Sequence, residues 1–490
     1  MTDVQAAQGK SGLRVTDVSL TDGQSARWGG ALTTPMALAV AGRLAAARPA
    51  AIEVLSPSTL RQCVALGEDP WQRTELLRER CPGIPLRAVV NLVTEATRAA
   101  DIISLEVATL WLKELVRRGV SEVLLIDPMM DIDRLGAMIA TARSLGLDPV
   151  AALCVTQSVP RSDNEMRKQA KDLAKSGAAR VMLRDEGGLL TTDRLSTLLP
   201  ALRAAVADLP LDLHLRCQTG LGPMLAIEAV RLGVDGLDTV FAPVANGPSL
   251  QALGTLLKSL QLLGLGSSGE QRLHAVREAD RLLEELADRH GFGRADPWAF
   301  DLAPYQHQLP GDVAAVAMRH LTELGLAHRL HAFANECALV RSEIGAPPML
   351  APFAGPIAEQ ALLHLQGTSR YAEIRPGVRR AIQQAYGRAV APIDTGLLMR
   401  VGALPNSPRP TLAALRALYP AATDASLVLA QVCGVKPDAQ ARPKPLEALR
   451  YVATTPEDCL LAGLTARAAR YRRLRVRGPG VSIELQTAEG

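Results

Sequence analysis

The chain has 490 residues, 48% of them hydrophobic and 21% charged, with a formal net charge of +4. That charge is too small for the length to mark a nucleic-acid binder, and the size suits one large domain with one or two smaller ones. Met1 to Ser11 is polar and lacks a signal core, and no apolar run reaches the roughly 20 residues that span a bilayer. A disordered N-terminus over residues 1–12 and a cytoplasmic location are therefore expected. The cysteines (Cys63, Cys81, Cys154, Cys217, Cys337, Cys433, Cys459) are scattered, odd in number and never paired as C-x-x-C. That pattern argues against a disulfide framework or a structural zinc site.

Eight short aliphatic runs follow one another: residues 13–20, 51–55, 86–90, 123–126, 150–155, 181–183, 211–215 and 236–241. Each reads as a strand too apolar to have a wet face. Between them lie amphipathic segments, such as 110–118 and 225–232, closed by Gly119 and Gly233 as helices are. Eight strand–helix units over roughly 240 residues predict a TIM (β/α)8 barrel, over residues 13–265. A doubly wound sheet is the runner-up. It calls for a Gly-rich phosphate turn after the first strand, and Asp22-Gly23-Gln24-Ser25 is no such turn.

Gly266-Ser267-Ser268-Gly269 breaks the pattern, and residues 270–434 read as mainly helical (272–290, 313–324, 328–344, 356–366, 412–419, 425–432), with a Pro-rich joint at 405–410. Residues 435–490 read as a polar linker (437–445), a helix and a terminal β-hairpin. Arg473-Leu474-Arg475-Val476-Arg477 and Val481-Ser482-Ile483-Glu484-Leu485 alternate about Gly478-Pro479-Gly480. The hairpin arginines read as the solvated face of a ribbon, with a basic binding patch as the alternative.

In a (β/α)8 barrel the C-terminal strand ends carry the chemistry. Two polar clusters fall there: Arg184-Asp185-Glu186 after the sixth run, and Arg216-Cys217-Gln218 after the seventh. Both are rich in arginine and poor in metal ligands.

Several passages resemble the carboxyltransferase subunits and domains of biotin-dependent enzymes: pyruvate carboxylase, the oxaloacetate decarboxylase alpha subunit and transcarboxylase. They are Gly67-Glu68-Asp69-Pro70-Trp71-Gln72-Arg73 with Pro82-Gly83-Ile84-Pro85-Leu86, Asp22-Gly23-Gln24-Ser25, and Gly233-Val234-Asp235-Gly236-Leu237-Asp238-Thr239. In the helical part, His307-Gln308-Leu309-Pro310-Gly311, Gly345-Ala346-Pro347-Pro348 and Tyr386-Gly387-Arg388 match as well. The resemblance covers residues 14–430 and implies a TIM barrel followed by a helical domain.

It also implies a divalent metal held by an Asp after the first strand, a carbamylated Lys after the sixth and two His after the seventh. The Asp is kept as Asp22, but Arg184 stands at the Lys, and Arg216 and Gln218 stand at the two His. A guanidinium has no lone pair to offer a metal, so no metal is expected. The family's 2-oxo-acid-binding Arg aligns with Val90 or Asn91, and its proton-shuttling Thr aligns near Ala245-Asn246. His214 is off the register of the His pair and reads as a buried or helix-facing residue, with a metal ligand as the alternative. No biotinylation Met-Lys-Met is present; the terminal hairpin is similar to the opening hairpin of a biotin carrier domain.

Two readings follow. In the first, the chain is a non-catalytic subunit of a carboxyl-transfer complex. It forms oligomers with an intact carboxyltransferase homologue and a biotin carrier protein, and meets carboxybiotin only on that partner. Arg184 and Arg216 then replace the metal's charge by pairing with Asp22 and with Asp185 or Glu186. In the second, the chain is a metal-independent decarboxylase or lyase. Arg184 and Arg216 then clamp a small anionic carboxylate, Glu186, Asp127 or Asp185 serves as general acid or base, and Cys217 is a candidate nucleophile. Gln24, Asn91, Asp127, Gln218 and Asn246 are the candidate substrate-binding residues.

Overall fold

The computed structural model describes residues 12–93, 103–156, 162–293, 296–367, 369–402, 411–437, 443–451, 464, 473–478 and 481–486. The N-terminal residues 1–11 and the Pro-rich joint at 405–410 lie outside the described residues. Eight parallel strands close into one barrel: β1 (Arg14–Asp17), β2 (Ala51–Leu55), β3 (Leu86–Asn91), β4 (Glu122–Ile126), β5 (Asp148–Cys154), β6 (Arg180–Asp185), β7 (Leu211–Leu215) and β8 (Gly236–Thr239). Each strand pairs with its neighbour in the chain, and β1 closes the ring against β8 from Arg14↔Gly236 to Asp17↔Thr239. The fold expectation holds, terminal hairpin included: β9 (Arg473–Gly478) pairs antiparallel with β10 (Val481–Gln486).

The first run is not strand as far as residue 20. The buried Asp17 carboxylate accepts from Ser19 N at 3.0 Å and Ser19 Oγ at 2.6 Å, which turns the backbone off the barrel wall. Ser19–Gly23 then forms one wide π-helical turn that carries Asp22 into the mouth. Gly23 sits so close to the end of β8 that a Cβ there would meet Val240 at 2.9 Å.

The strands are apolar outward, where residues such as Ile52, Val54, Leu125, Val181, Leu183, Leu211 and Leu213 pack under the surrounding helices. Inward they are not uniformly apolar, contrary to expectation. One side of the bore is filled by Val89, Leu124, Ile126, Val150, Ala152, Cys154 and Met182. The other side is ionic, with Glu53, Arg87, Asp212, His214 and Asp238 all buried. At the N-terminal end Arg14 and Arg180 both pair with Glu122, plugging the bottom of the bore.

Two helices after the barrel pack back onto it: Leu273, Val276 and Leu283 of Glu270–His290, and Leu427, Val428 and Val432 of Asp424–Cys433, join the barrel's outer core. Between them the helices Gly311–Glu323, Leu330–Glu343 and Ala354–Leu365 build a separate core around Phe333, Val340, Phe353 and Ile357. This helical unit sits over the C-terminal mouth, where Leu350 plugs into the apolar side of the bore.

Candidate functional site

The mouth of the barrel and the helical unit line a cleft of about 350 Å³. Its polar wall includes Asp22, Ser25, Asn91, Arg184, Glu186, Arg216 and Asp312, and its apolar wall includes Val313, Ala317, Leu350 and Leu362. Four of the residues expected at the site therefore meet: Asp22, Arg184, Glu186 and Arg216.

They meet as an ionic square. Arg216 Nη1 lies 3.0 Å from Asp22 Oδ1, and its Nη2 lies 3.1 Å from Asp22 Oδ2 and 3.0 Å from Glu186 Oε2. Arg184 Nη2 is 3.3 Å from Asp22 Oδ2, and Arg184 Nε donates to Glu186 Oε1. Arg216 Nη1 also donates to Pro248 O at 2.8 Å. All four side chains are buried, so the guanidiniums are spent on internal carboxylates.

Burial alone would push both carboxylates up. For Asp22 the charges of Arg216, His214 and Arg184 outweigh it and hold the group well below the usual carboxylate range. For Glu186 the charges of Arg184 and Arg216 do the same. Each acid is ionised because the opposite charges are within hydrogen-bond reach.

The ionic side continues inward. His214 Nε2 is 3.3 Å from Asp22 Oδ2, and its Nδ1 is 3.0 Å from Asp238 Oδ2. Arg87 grips Asp238 with both terminal nitrogens, at 2.8 and 2.7 Å, and donates from Nε to Glu53 at 2.9 Å. Thr21 Oγ1 closes the chain on Glu53 at 2.6 Å. His214 is thus a buried, inward-facing residue and not a helix-facing one. Side chains two apart on a strand share a face, so His214 points the same way as Arg216. Burial and Arg184 disfavour its charged form, but Asp22 and Asp238 on either side raise its pKa above the ordinary value.

The remaining expected residues take no part in the ionic square. Asp185, expected as an arginine partner, accepts instead from Leu189 N and Leu190 N, each at 2.8 Å, and burial pushes it up to about 6. Asp127 is fully buried, accepts from Met129 N at 2.9 Å and pairs with Arg134. Gln24 is buried against Gln62, at 2.8 Å. Burial pushes the Cys217 thiol up to about 12, far from a thiolate at neutral pH. Gln218 donates to Gly187 O and, at 2.7 Å, to Leu309 O, which ties the barrel mouth to the helical unit. Asn246 is half-buried in a tight left-handed turn (φ 61°). Asn91 lines the cavity, but its Oδ1 is taken by Val93 N at 3.0 Å.

Sequence reasoning missed Asp312, half-buried at the start of Gly311–Glu323 and 3.8 Å from Arg216, and the Glu53–Arg87–Asp238 chain. Period-2 alternation places Arg87 and Asp238 on a single face of their strands, but with no partner to name they read as strand-end polarity.

A closed parallel barrel of this topology, with helices over a charged mouth, is a TIM barrel. No family model matches the chain. Relatives are found among curated proteins. A pyruvate carboxylase subunit of Methanocaldococcus jannaschii is 26% identical over 401 residues, 79% of this chain and 68% of that protein. The 2-oxoglutarate carboxylase large subunit of Hydrogenobacter thermophilus is 22% identical over 401 residues, 80% of this chain and 60% of that one. The methylmalonyl-CoA carboxyltransferase 5S subunit of Propionibacterium freudenreichii is 21% identical over 322 residues, 64% and 62% of the two chains. The chain thus spans 60 to 68% of the length of these relatives.

Among solved structures, the carboxyl transferase domain of Rhizobium etli pyruvate carboxylase superposes with a TM-score of 0.75 at 20% identity, covering 90% of this chain and 80% of that one. The same domain with oxamate and biotin also gives 0.75. This chain is related to the carboxyltransferase subunits and domains of biotin-dependent enzymes.

The family resemblance implies a divalent ion at Asp22, and the residues present do not fit one. Two guanidiniums already lie 3.0 to 3.3 Å from the Asp22 oxygens. They supply the positive charge, have no lone pair, and repel a further cation.

Proposed function

We propose that the chain is a subunit of a biotin-dependent carboxyl-transfer complex that has given up the metal-dependent chemistry of the barrel mouth. One observation carries the reading: Arg184 and Arg216 bridge Asp22 and Glu186, so that two fixed cations balance two buried acids. A buried carboxylate deprived of its ion is costly, and a tethered guanidinium removes that cost without any ion. The retained barrel and helical cover support a scaffolding role beside an intact carboxyltransferase homologue and a biotin carrier protein, which holds the carboxybiotin. Mild affinity purification from the native host tests this. An intact carboxyltransferase or a biotinylated protein recovered in stoichiometric amount supports it; a chain that purifies alone as a stable oligomer counts against it.

The cavity of about 350 Å³ favours a second reading, a metal-free decarboxylase or lyase acting on a small carboxylate there. Glu186 or Asp312 would then be the acid or base. The arginines weigh against this, because each is already neutralised within the protein. Turnover of a 2-oxo acid by the purified chain in the presence of a chelator would favour this reading.

A further inference from the structure

We infer that the cleft over the barrel mouth binds an organic cation, a primary ammonium on a short aliphatic body, and that Asp312 anchors it. The inference rests on the proposed internal use of Arg184 and Arg216. It goes beyond that reading in fixing the sign of the charge that the mouth accepts.

The first ground is a count of charges. Among the described residues, five linked carboxyls run from the bore into the cleft: Asp22, Glu53, Glu186, Asp238 and Asp312. The cations between them are Arg87, Arg184, Arg216 and, when protonated, His214. Even with His214 charged, one carboxyl is left without a cation of its own. Asp22, Glu53, Glu186 and Asp238 each have a guanidinium nitrogen within 3.0 Å. For Asp312 the nearest among the described residues is Arg216, at 3.8 Å, which is too long for a hydrogen bond. The Asp312 side chain is also the most open of the five, 35% exposed, and it lines the cleft.

The second ground is an acceptor without a donor. Asp22, 8% exposed and also lining the cleft, has an Oδ1 that accepts no hydrogen bond among the described residues. Arg216 Nη1 lies 3.0 Å from it without donating. Buried carboxylate oxygens normally have a donor. An ammonium carries one positive charge and three N–H groups, which is what these two acids lack. The apolar wall of Val313, Ala317, Leu350 and Leu362 has no polar side chain to offer, and suits an alkyl chain behind the ammonium. Burying that chain is favourable, and about 350 Å³ is at the lower end of small-molecule sites.

The test titrates the full chain by calorimetry with three probes of nearly one shape, n-butylammonium, n-butanol and butyrate. It uses the wild type, Asp312→Asn and Val316→Trp. Asp312→Asn removes the anchoring charge at constant size. Val316→Trp narrows the cleft from a part-exposed position, and carries the test should Asp312→Asn fail to fold. The expected result is one n-butylammonium per wild-type chain, and no saturable heat from n-butanol or butyrate. Affinity should be at least about 10-fold weaker in Asp312→Asn, and weaker in Val316→Trp. No saturable n-butylammonium binding, n-butanol binding as tightly, or binding that a folded variant leaves unchanged overturns the inference and leaves the proposed function standing. Saturable butyrate binding overturns both, because an arginine would then be free to clamp an anion.

Discussion

Arg216 Nη2 donates to Asp22 Oδ2 at 3.1 Å and its Nη1 lies 3.0 Å from Oδ1, an ion pair across the barrel mouth between residues 194 positions apart. A hydrogen bond between two charged groups is roughly twice as strong as one between neutral groups. Among side chains this buried the pair sets the charge state of its neighbours. The acids stay ionised, His214 is drawn toward its charged form, and neither Arg184 nor Arg216 is left over for a ligand.

Replacing Arg184 removes half of that compensation. Arg184→Met leaves Glu186 and Asp22 sharing Arg216 in a buried site, and breaking a buried pair costs about 3–5 kcal/mol. The variant is expected to be soluble but clearly destabilised in thermal or denaturant unfolding. Adding Glu186→Gln should recover part of the loss, since the two changes are coupled. An unchanged melting temperature for Arg184→Met would mean that the square is not structural.

Small 2-oxo and dicarboxylic acids should give no heat of binding with the wild type by calorimetry. Their natural anchors, Arg184 and Arg216, already carry internal carboxylates, and Asp312 adds a third acid 3.8 Å from Arg216. Saturable heat from such a ligand would restore the anion-clamp reading.

Gln218 spans the seam between barrel and helical cover through Gly187 O and Leu309 O. Gln218→Ala takes the donor from two buried carbonyls, at a cost of about 1–3 kcal/mol each. The loss should appear as faster hydrogen exchange around Leu309 together with a lower melting temperature. Equal exchange in both proteins would show that the cover is held by its apolar contacts alone.

Stability should fall as the solution passes from mildly acidic to alkaline. Burial raises Asp17 and Asp212 to about 7, so between pH 4 and pH 7 the folded chain holds protons that the unfolded chain has lost. The stabilisation is complete below the unfolded value near 3.8 and disappears as pH rises through about 7. Asp17→Asn keeps an acceptor for Ser19 and cannot ionise, so its melting temperature should decline less between pH 5 and pH 8. Parallel profiles for variant and wild type would rule Asp17 out as the source.

The barrel is legible in the sequence because eight aliphatic runs at even spacing have few other ways to bury both faces. The site is legible where it sits at strand ends, at Asp22, Arg184, Glu186 and Arg216. What stays hidden depends on which residues meet across the bore. Glu53, Arg87, His214 and Asp238 lie on four different strands, and nothing local in any strand says that the four converge. The resemblance sets His214 off the register of its His pair, and that comparison obscures what alternation alone says, that it lies beside Arg216. Asp185, next to two charged neighbours, looks like an ion-pair partner, but the turn at Leu189 and Leu190 uses its carboxylate as a backbone cap.

The most direct measurement is the divalent metal content of the wild-type chain, purified without chelator from cells grown with added zinc, manganese and cobalt, and read by mass spectrometry per mole of protein. The arginine square predicts a content at background. One tightly held ion per chain would contradict it, because the ion and the two guanidiniums cannot share the oxygens of Asp22.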